Sequence, residues 1–263
     1  MQPAVSTLTI HDHPTIIQSG GSGPPLLFLH SEGTTSGWRA VHDLLAENFT
    51  VVAPIHPGFD GGDVPSWLTD VSDMAFHYVD LIGQLELDQP LVVGSSLGGW
   101  MALDLAIHRS DLLSGLLLVG ALGLRPHNPM PDLFLKAAPD ALGYLSQSID
   151  AANVDPLTGD IEAATALWVE QATQARLMWE RPYDKRVARR AHHVRCPVSV
   201  VWGADGRLLP VEHGQRLAQL LGADFDVVAG SGHLVDLDDP AAVVAAARQL
   251  AQQTPPSERS TSS

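Results

Sequence analysis

The residues whose types and spacing could do covalent chemistry lie in Gly94-Ser95-Ser96-Leu97-Gly98. The stretch fits the G-x-S-x-G pattern of a nucleophile elbow, with Ser96 as the middle serine. A serine on a tight strand-to-helix turn occupies a crowded backbone conformation, so its neighbours must be small. Gly94 and Gly98 meet that need. A serine hydroxyl is a weak nucleophile at neutral pH and needs a base to take its proton. His233 is the best candidate base, because it sits in the glycine-framed loop Gly230-Ser231-Gly232-His233 after a late strand. His30 and His56 also follow strands, and for them the preferred role is tying loops together. His11-Asp12-His13 and His192-His193 read as surface residues rather than metal ligands.

Elements must then bring Ser96 and His233 together. Leu91-Val92-Val93 is an apolar strand that enters the elbow, and Gly99 to Leu103 leave it with helical character. Leu26–Leu29, Thr50–Ala53, Gly115–Val119, Pro197–Trp202 and Phe225–Val228 read as further strands. Their continuous apolar runs suit a parallel sheet buried on both faces. Val5–Ile10 and Thr15–Gln18 suggest a hairpin turning at His13-Pro14. Helices are expected over Trp38–Glu47 with a Ser36 cap, from Asp70 or Ser72 to Leu85, over Val211–Leu221 and over Pro240–Gln249. Between Leu122 and His193 prolines are dense and helical stretches follow one another without strands. Asp160 is a possible cap for a helix reaching Trp179, with Ala164, Trp168, Gln171, Ala175 and Met178 along one stripe. The pattern predicts an α/β protein with a doubly wound, mostly parallel sheet and a helical insertion.

The chain's 263 residues, 45% hydrophobic and 17% charged, are enough for one large α/β domain with an insertion. A net charge of -15 disfavours nucleic acid and anionic membranes as partners and suits neutral or weakly charged substrates. The single cysteine, Cys196, excludes a disulfide framework. No signal peptide and no spanning run is evident, so the expected compartment is the cytoplasm. Thr254–Ser263 reads as a disordered polar tail.

The elbow, the His30–Gly33 loop, the His56-Pro57-Gly58-Phe59 loop, the Trp202-Gly203-Ala204-Asp205 segment and the Gly230–His233 loop occur in the order found in α/β-hydrolase-fold enzymes, which the chain resembles over nearly its whole length. The resemblance implies a core of residues 1–121 and 194–253 under a helical cap of residues 122–193. It implies a Ser96–Asp205–His233 triad, with the backbone N–H groups of Leu97 and Glu32 as the oxyanion hole. Two positions depart from the family pattern. Ser31 stands where glycine is usual, and Gly206 stands where the acid is usual, so that the nearest carboxylate is Asp205, one residue earlier. Asp205 is then either the triad acid or a loop aspartate that caps a turn. The cap would close an apolar pocket whose candidate lining is Trp100, Phe134, Trp168, Met178 and Trp179.

No phosphate loop, dinucleotide fingerprint or metal-ligand spacing occurs, so neither cofactor nor metal is expected. The leading function is a serine hydrolase of the carboxylesterase or meta-cleavage-product-hydrolase kind, acting on an apolar small molecule at an ester, thioester or ketone-adjacent carbon-carbon bond. A second is a cofactor-independent oxygenase, lyase or cyclase that uses His233 as base and Ser96 as hydrogen-bond donor. The third is a binding protein that keeps the fold. The oligomeric state is open, with a homodimer as one option.

Overall fold

The computed structural model describes residues 2–32, 37–136, 138–148, 161–179 and 181–253. Gly33, Ser36, Asp160 and the tail of residues 254–263 lie outside them. Eight strands form one sheet: β1 (Ala4–Ile10), β2 (His13–Gly20), β3 (Pro25–Leu29), β4 (Thr50–Pro54), β5 (Leu91–Ser95), β6 (Gly115–Val119), β7 (Val198–Gly203) and β8 (Asp224–Val228). Their order is β1-β2-β4-β3-β5-β6-β7-β8. From β4 to β8 neighbours are parallel, while β1 and β2 add an antiparallel hairpin at one edge. That hairpin turns at His11-Asp12, both with positive φ (49° and 58°), and not at His13-Pro14, which β2 includes. Two consecutive left-handed residues match the twist of a tight hairpin, and aspartate tolerates that region better than most side chains.

The central strands are buried on both faces, and period two sorts their side chains. Leu27, Leu29 and Val92 face one layer, packed with α2 (Val71–Gln84) and α3 (Leu97–Arg109). Leu26, Phe28 and Val93 face the other, packed with α1 (Ala40–Ala46) and α9 (Pro240–Gln253). Asp70 caps α2 by accepting from the Asp73 N–H at 3.1 Å. In the parallel register Leu29 lies beside Gly94 and Gly94 beside Leu118, so strands β3, β5 and β6 end together. Loops from their carboxyl ends meet along one edge, where open α/β sheets bind ligands.

Between Leu122 and His193 the described residues hold α4 (Ala138–Leu145), α5 (Ile161–Leu177) and α6 (Val187–Arg190), and no strand beyond an isolated Gly123–Tyr183 bridge. The inward face of α5 differs from the expected stripe. Glu170, Thr173, Gln174 and Leu177 are buried, while Trp168 is 69% exposed. Thr173 Oγ1 donates to Gly58 O at 3.2 Å, and Gln174 Nε2 to Glu170 Oε1 at 3.0 Å. The buried face thus carries polar side chains, which a hydrophobic stripe does not report. The remaining helices are α7 (Val211–Leu221) and the short α8 (Val235–Asp238).

Candidate active site

Ser96 joins β5 to α3 with φ 49° and ψ -109°, a conformation held only because its surroundings overdetermine it. Its N–H donates to Val119 O at 2.9 Å, and its carbonyl accepts from Trp100 and Leu122 at 3.1 and 3.0 Å. A Cβ on Gly98 would stand 2.2 Å from Leu29 O, and one on Gly94 would stand 2.5 Å from Gly98 O. Both glycines are therefore required by close backbone approach.

His233 reaches the same point from the loop between β8 and α8, with Nε2 2.7 Å from Ser96 Oγ. The ring is buried, and burial, helped by nearby His213, pushes its pKa down to about 3. It is therefore neutral at pH 7. Its Nδ1 is buried with no hydrogen-bond partner among the described residues. Two strand ends flank His233, and both carry glycine. Gly206 follows β7, where a Cβ would lie 3.8 Å from His233 Cα. Gly120 follows β6, where a Cβ would lie 2.4 Å from His233 O, too close for any side chain.

Asp205 does not fill the gap. Its side chain is exposed, its N–H donates to Ser231 O at 2.9 Å, and it makes no hydrogen bond to His233. The structure thus brings Ser96 and His233 together and leaves Asp205 apart, because a one-residue shift in the loop turns the side chain outward.

The two expected oxyanion donors converge, and what they converge on is the Glu32 carboxylate. Oε2 accepts from Leu97 N–H at 3.1 Å, and Glu32's own N–H also faces the carboxylate. Oε1 accepts from Ser96 Oγ at 2.8 Å. Burial raises the pKa of Glu32 above the usual carboxylate value, and Asp236 pushes the same way. Reading the sequence found the Glu32 N–H and missed its side chain. The available signal was an ionisable residue at a position where only the backbone was needed.

Around this centre, His30 and His56 tie β3 to β4. Their rings stack 3.6 Å apart, His56 N donates to His30 Nε2 at 3.1 Å, and His56 Nε2 donates to His30 O at 2.8 Å. Tyr78 Oη donates to His56 Nδ1. Burial lowers both pKa values, that of His56 to about 4. A buried carboxylate, Asp236, accepts from Ser95 Oγ at 2.6 Å and from Arg39 Nη2 at 3.0 Å. Asp238 accepts from Gly232 N at 2.7 Å and from Ser146 Oγ at 2.6 Å.

A cavity of about 590 Å³ opens above Glu32, lined mainly by apolar side chains with Glu170 and Gln174 among them. Phe134, Met178 and Trp179 of the expected lining belong to it. Trp168 points to solvent and lines no part of it, and Trp100 instead borders a neighbouring cavity of about 1130 Å³ with Arg176 and Arg181. Ser96 is 0% and Glu32 4% exposed, so the carboxylate stands between the serine and the cavity. Among the described residues no helix is long and apolar enough to cross a membrane.

Related proteins carry the same frame. An uncharacterized Mycobacterium tuberculosis protein is 28% identical over 284 residues, covering 97% of this chain and 83% of its own. The 2-hydroxy-6-oxo-6-phenylhexa-2,4-dienoate hydrolase of Burkholderia cepacia is 25% identical, covering 88% of this chain and 87% of its own. The solved structure of a serine hydrolase involved in carbazole degradation superposes with a TM-score of 0.79 at 20% identity, covering 95% of this chain and 99% of its own. A family match over residues 26–247 takes in the elbow, the Glu32 loop and the His233 loop, and by it the chain belongs to the alpha/beta hydrolase family.

Proposed function

We propose that the chain is a serine hydrolase that cleaves an ester, thioester or ketone-adjacent carbon-carbon bond of an apolar small molecule, with Ser96 as nucleophile. The observation that carries this reading is the 2.7 Å contact of His233 Nε2 with Ser96 Oγ at a strained elbow. Leu97 and Glu32 N–H groups would hold the oxyanion, since they already hold a carboxyl oxygen there. The apolar cavity supports the substrate class, and residues 122–193 would act as its cap. The dienoate hydrolase relative supports the carbon-carbon option. Acyl transfer at Ser96 then forms an acyl-enzyme that water clears.

The hydrogen bond that Ser96 Oγ donates to Glu32 Oε1 at 2.8 Å favours a second reading, in which Ser96 only donates a hydrogen bond and His233 acts as base on the substrate itself. The Ser96→Ala variant separates the two on a panel of p-nitrophenyl esters and ring-fission dienoates. Loss of the serine should remove covalent turnover and leave only the residual rate that binding and the oxyanion donors supply. Retention of most activity refutes the nucleophile.

A further inference from the structure

We infer that Glu32, rather than His233, takes the proton from Ser96 and returns it to the leaving group, which makes its carboxylate a catalytic residue of this site. The inference rests on the serine-hydrolase reading above. It follows from counting hydrogens. Ser96 Oγ has one proton and two close neighbours, Glu32 Oε1 at 2.8 Å and His233 Nε2 at 2.7 Å. His233 Nδ1 has no acceptor among the described residues, so the ring carries its proton on Nε2 and donates it to Ser96 Oγ, and the hydroxyl in turn donates to Glu32 Oε1. This leaves a bare lone pair on Nδ1. The other tautomer would bury an N–H with no acceptor among the described residues. His233 therefore fixes Ser96, and Glu32 is the acceptor in line.

Charge favours the same route. Proton transfer to His233 would create an imidazolium in a buried site with no partner for Nδ1 among the described residues. Transfer to Glu32 creates no new charge. The Ser96 O–H bond breaks and its proton goes to Oε1, while the freed electron pair forms the Oγ–C bond. The carbonyl π pair moves onto oxygen, which takes the Leu97 and Glu32 N–H groups from the now neutral carboxyl. Negative charge thus passes from carboxylate to oxyanion between the same donors. Collapse of the intermediate expels the leaving group with the proton from Glu32. Water then repeats the sequence, with Ser96 as the leaving group. Glu32 also lines the cavity, so it meets the substrate first.

A fluorophosphonate probe reads this step without knowledge of the substrate. In Glu32→Gln, which keeps the side-chain volume and the backbone N–H, labelling of Ser96 should slow by about 10²- to 10⁴-fold, the usual contribution of a positioned base. Wild-type labelling should fall as pH drops through the raised pKa of Glu32, because only the carboxylate accepts a proton. Titratable groups around Glu32 include Asp236, paired with Arg39, the neutral His233 across Ser96, and Glu170 and Arg181, which line the same cavity. That acid limb should persist in Glu32→Asp and vanish in Glu32→Gln, a change that a merely structural role would not produce. Glu32→Gln labelling as fast as wild type or faster, with the limb intact, overturns the inference and makes the carboxylate an obstruction. Failure of wild-type Ser96 to label at any pH overturns the serine reading and the inference together, whereas a dead Ser96→Ala beside an active Glu32→Gln overturns the inference alone.

Discussion

Gly206→Asp would place a carboxylate beside His233. Gly206 does not lie in the left-handed region, so an aspartate backbone fits. Its Cβ would stand 3.3 Å from Leu209 O and 3.4 Å from Gly203 O, which asks those carbonyls to yield a few tenths of an ångström. From a Cβ 3.8 Å from His233 Cα, the carboxylate can approach the unpartnered Nδ1. A hydrogen bond to a charged group contributes about 1.5–3 kcal/mol. At about 1.4 kcal/mol per tenfold, the proton affinity of the ring should rise roughly 10- to 100-fold. The imidazolium route would then open beside the Glu32 route, and turnover of an activated ester should increase by about tenfold, less whatever the buried aspartate costs in desolvation. The assay pairs an NMR titration of the His233 ring with p-nitrophenyl acetate turnover and a thermal melt. If the variant melts like wild type while titration and turnover stay put, the space beside Gly206 is not the vacant place of a triad acid.

Two further outcomes follow from the same structure. Asp205→Asn should leave turnover within about twofold of wild type, since a solvated loop carboxylate orients nothing; a loss near the ten-thousandfold seen when a triad acid is neutralised would contradict this. Acid should unfold the protein early, because His30, His42, His56, His77, His213 and His233 are all buried with lowered pKa values, about 4 for His56 and His213 and about 3 for His42, His77 and His233. Above the ordinary value of 6.5 their contribution is fully present, and it is lost as pH falls towards 4 because the unfolded chain binds the extra protons. Six protons at about 1.4 kcal/mol each per pH unit set a ceiling of about 8 kcal/mol per unit, comparable with the whole stability of a domain. Tryptophan fluorescence against pH should show a cooperative transition between pH 6 and 4, within the interval spanned by the ordinary and lowered values. A fold intact well below that interval refutes it.

What could be read from the sequence was what steric necessity writes into residue types. The elbow was legible because only glycine fits at 94 and 98, where any Cβ would fall within 3 Å of neighbouring backbone. His233 was legible because glycine at 230, with φ 77°, lets the loop bring a ring over the sheet edge. The strands were legible because a sheet buried on both faces demands unbroken apolar runs. The rest depends on rotations that composition does not encode. Whether Asp205 or its neighbour faces His233 is a matter of one residue in a loop. The buried face of α5 carries Glu170, Thr173 and Gln174, which a search for an apolar stripe passes over. The part played by the Glu32 side chain was hidden because an oxyanion hole asks only for a backbone N–H at that position.

Asp236 carries a consequence for how this protein could change. It binds Ser95, the neighbour of the nucleophile, and lies three residues after His233, so it staples the serine and histidine loops to each other without help from residues 122–193. Asp238 extends the staple only as far as residues 146–148 at the end of α4. The reacting atoms therefore keep their spacing whatever happens beyond that point. Helix α5 and the Phe134 turn, which shape the cavity, are free to be rebuilt by substitution while the alignment of Ser96 and His233 is inherited unchanged. New substrates for this scaffold should arise by exchange on that wall of the cavity and need no second adjustment at the elbow.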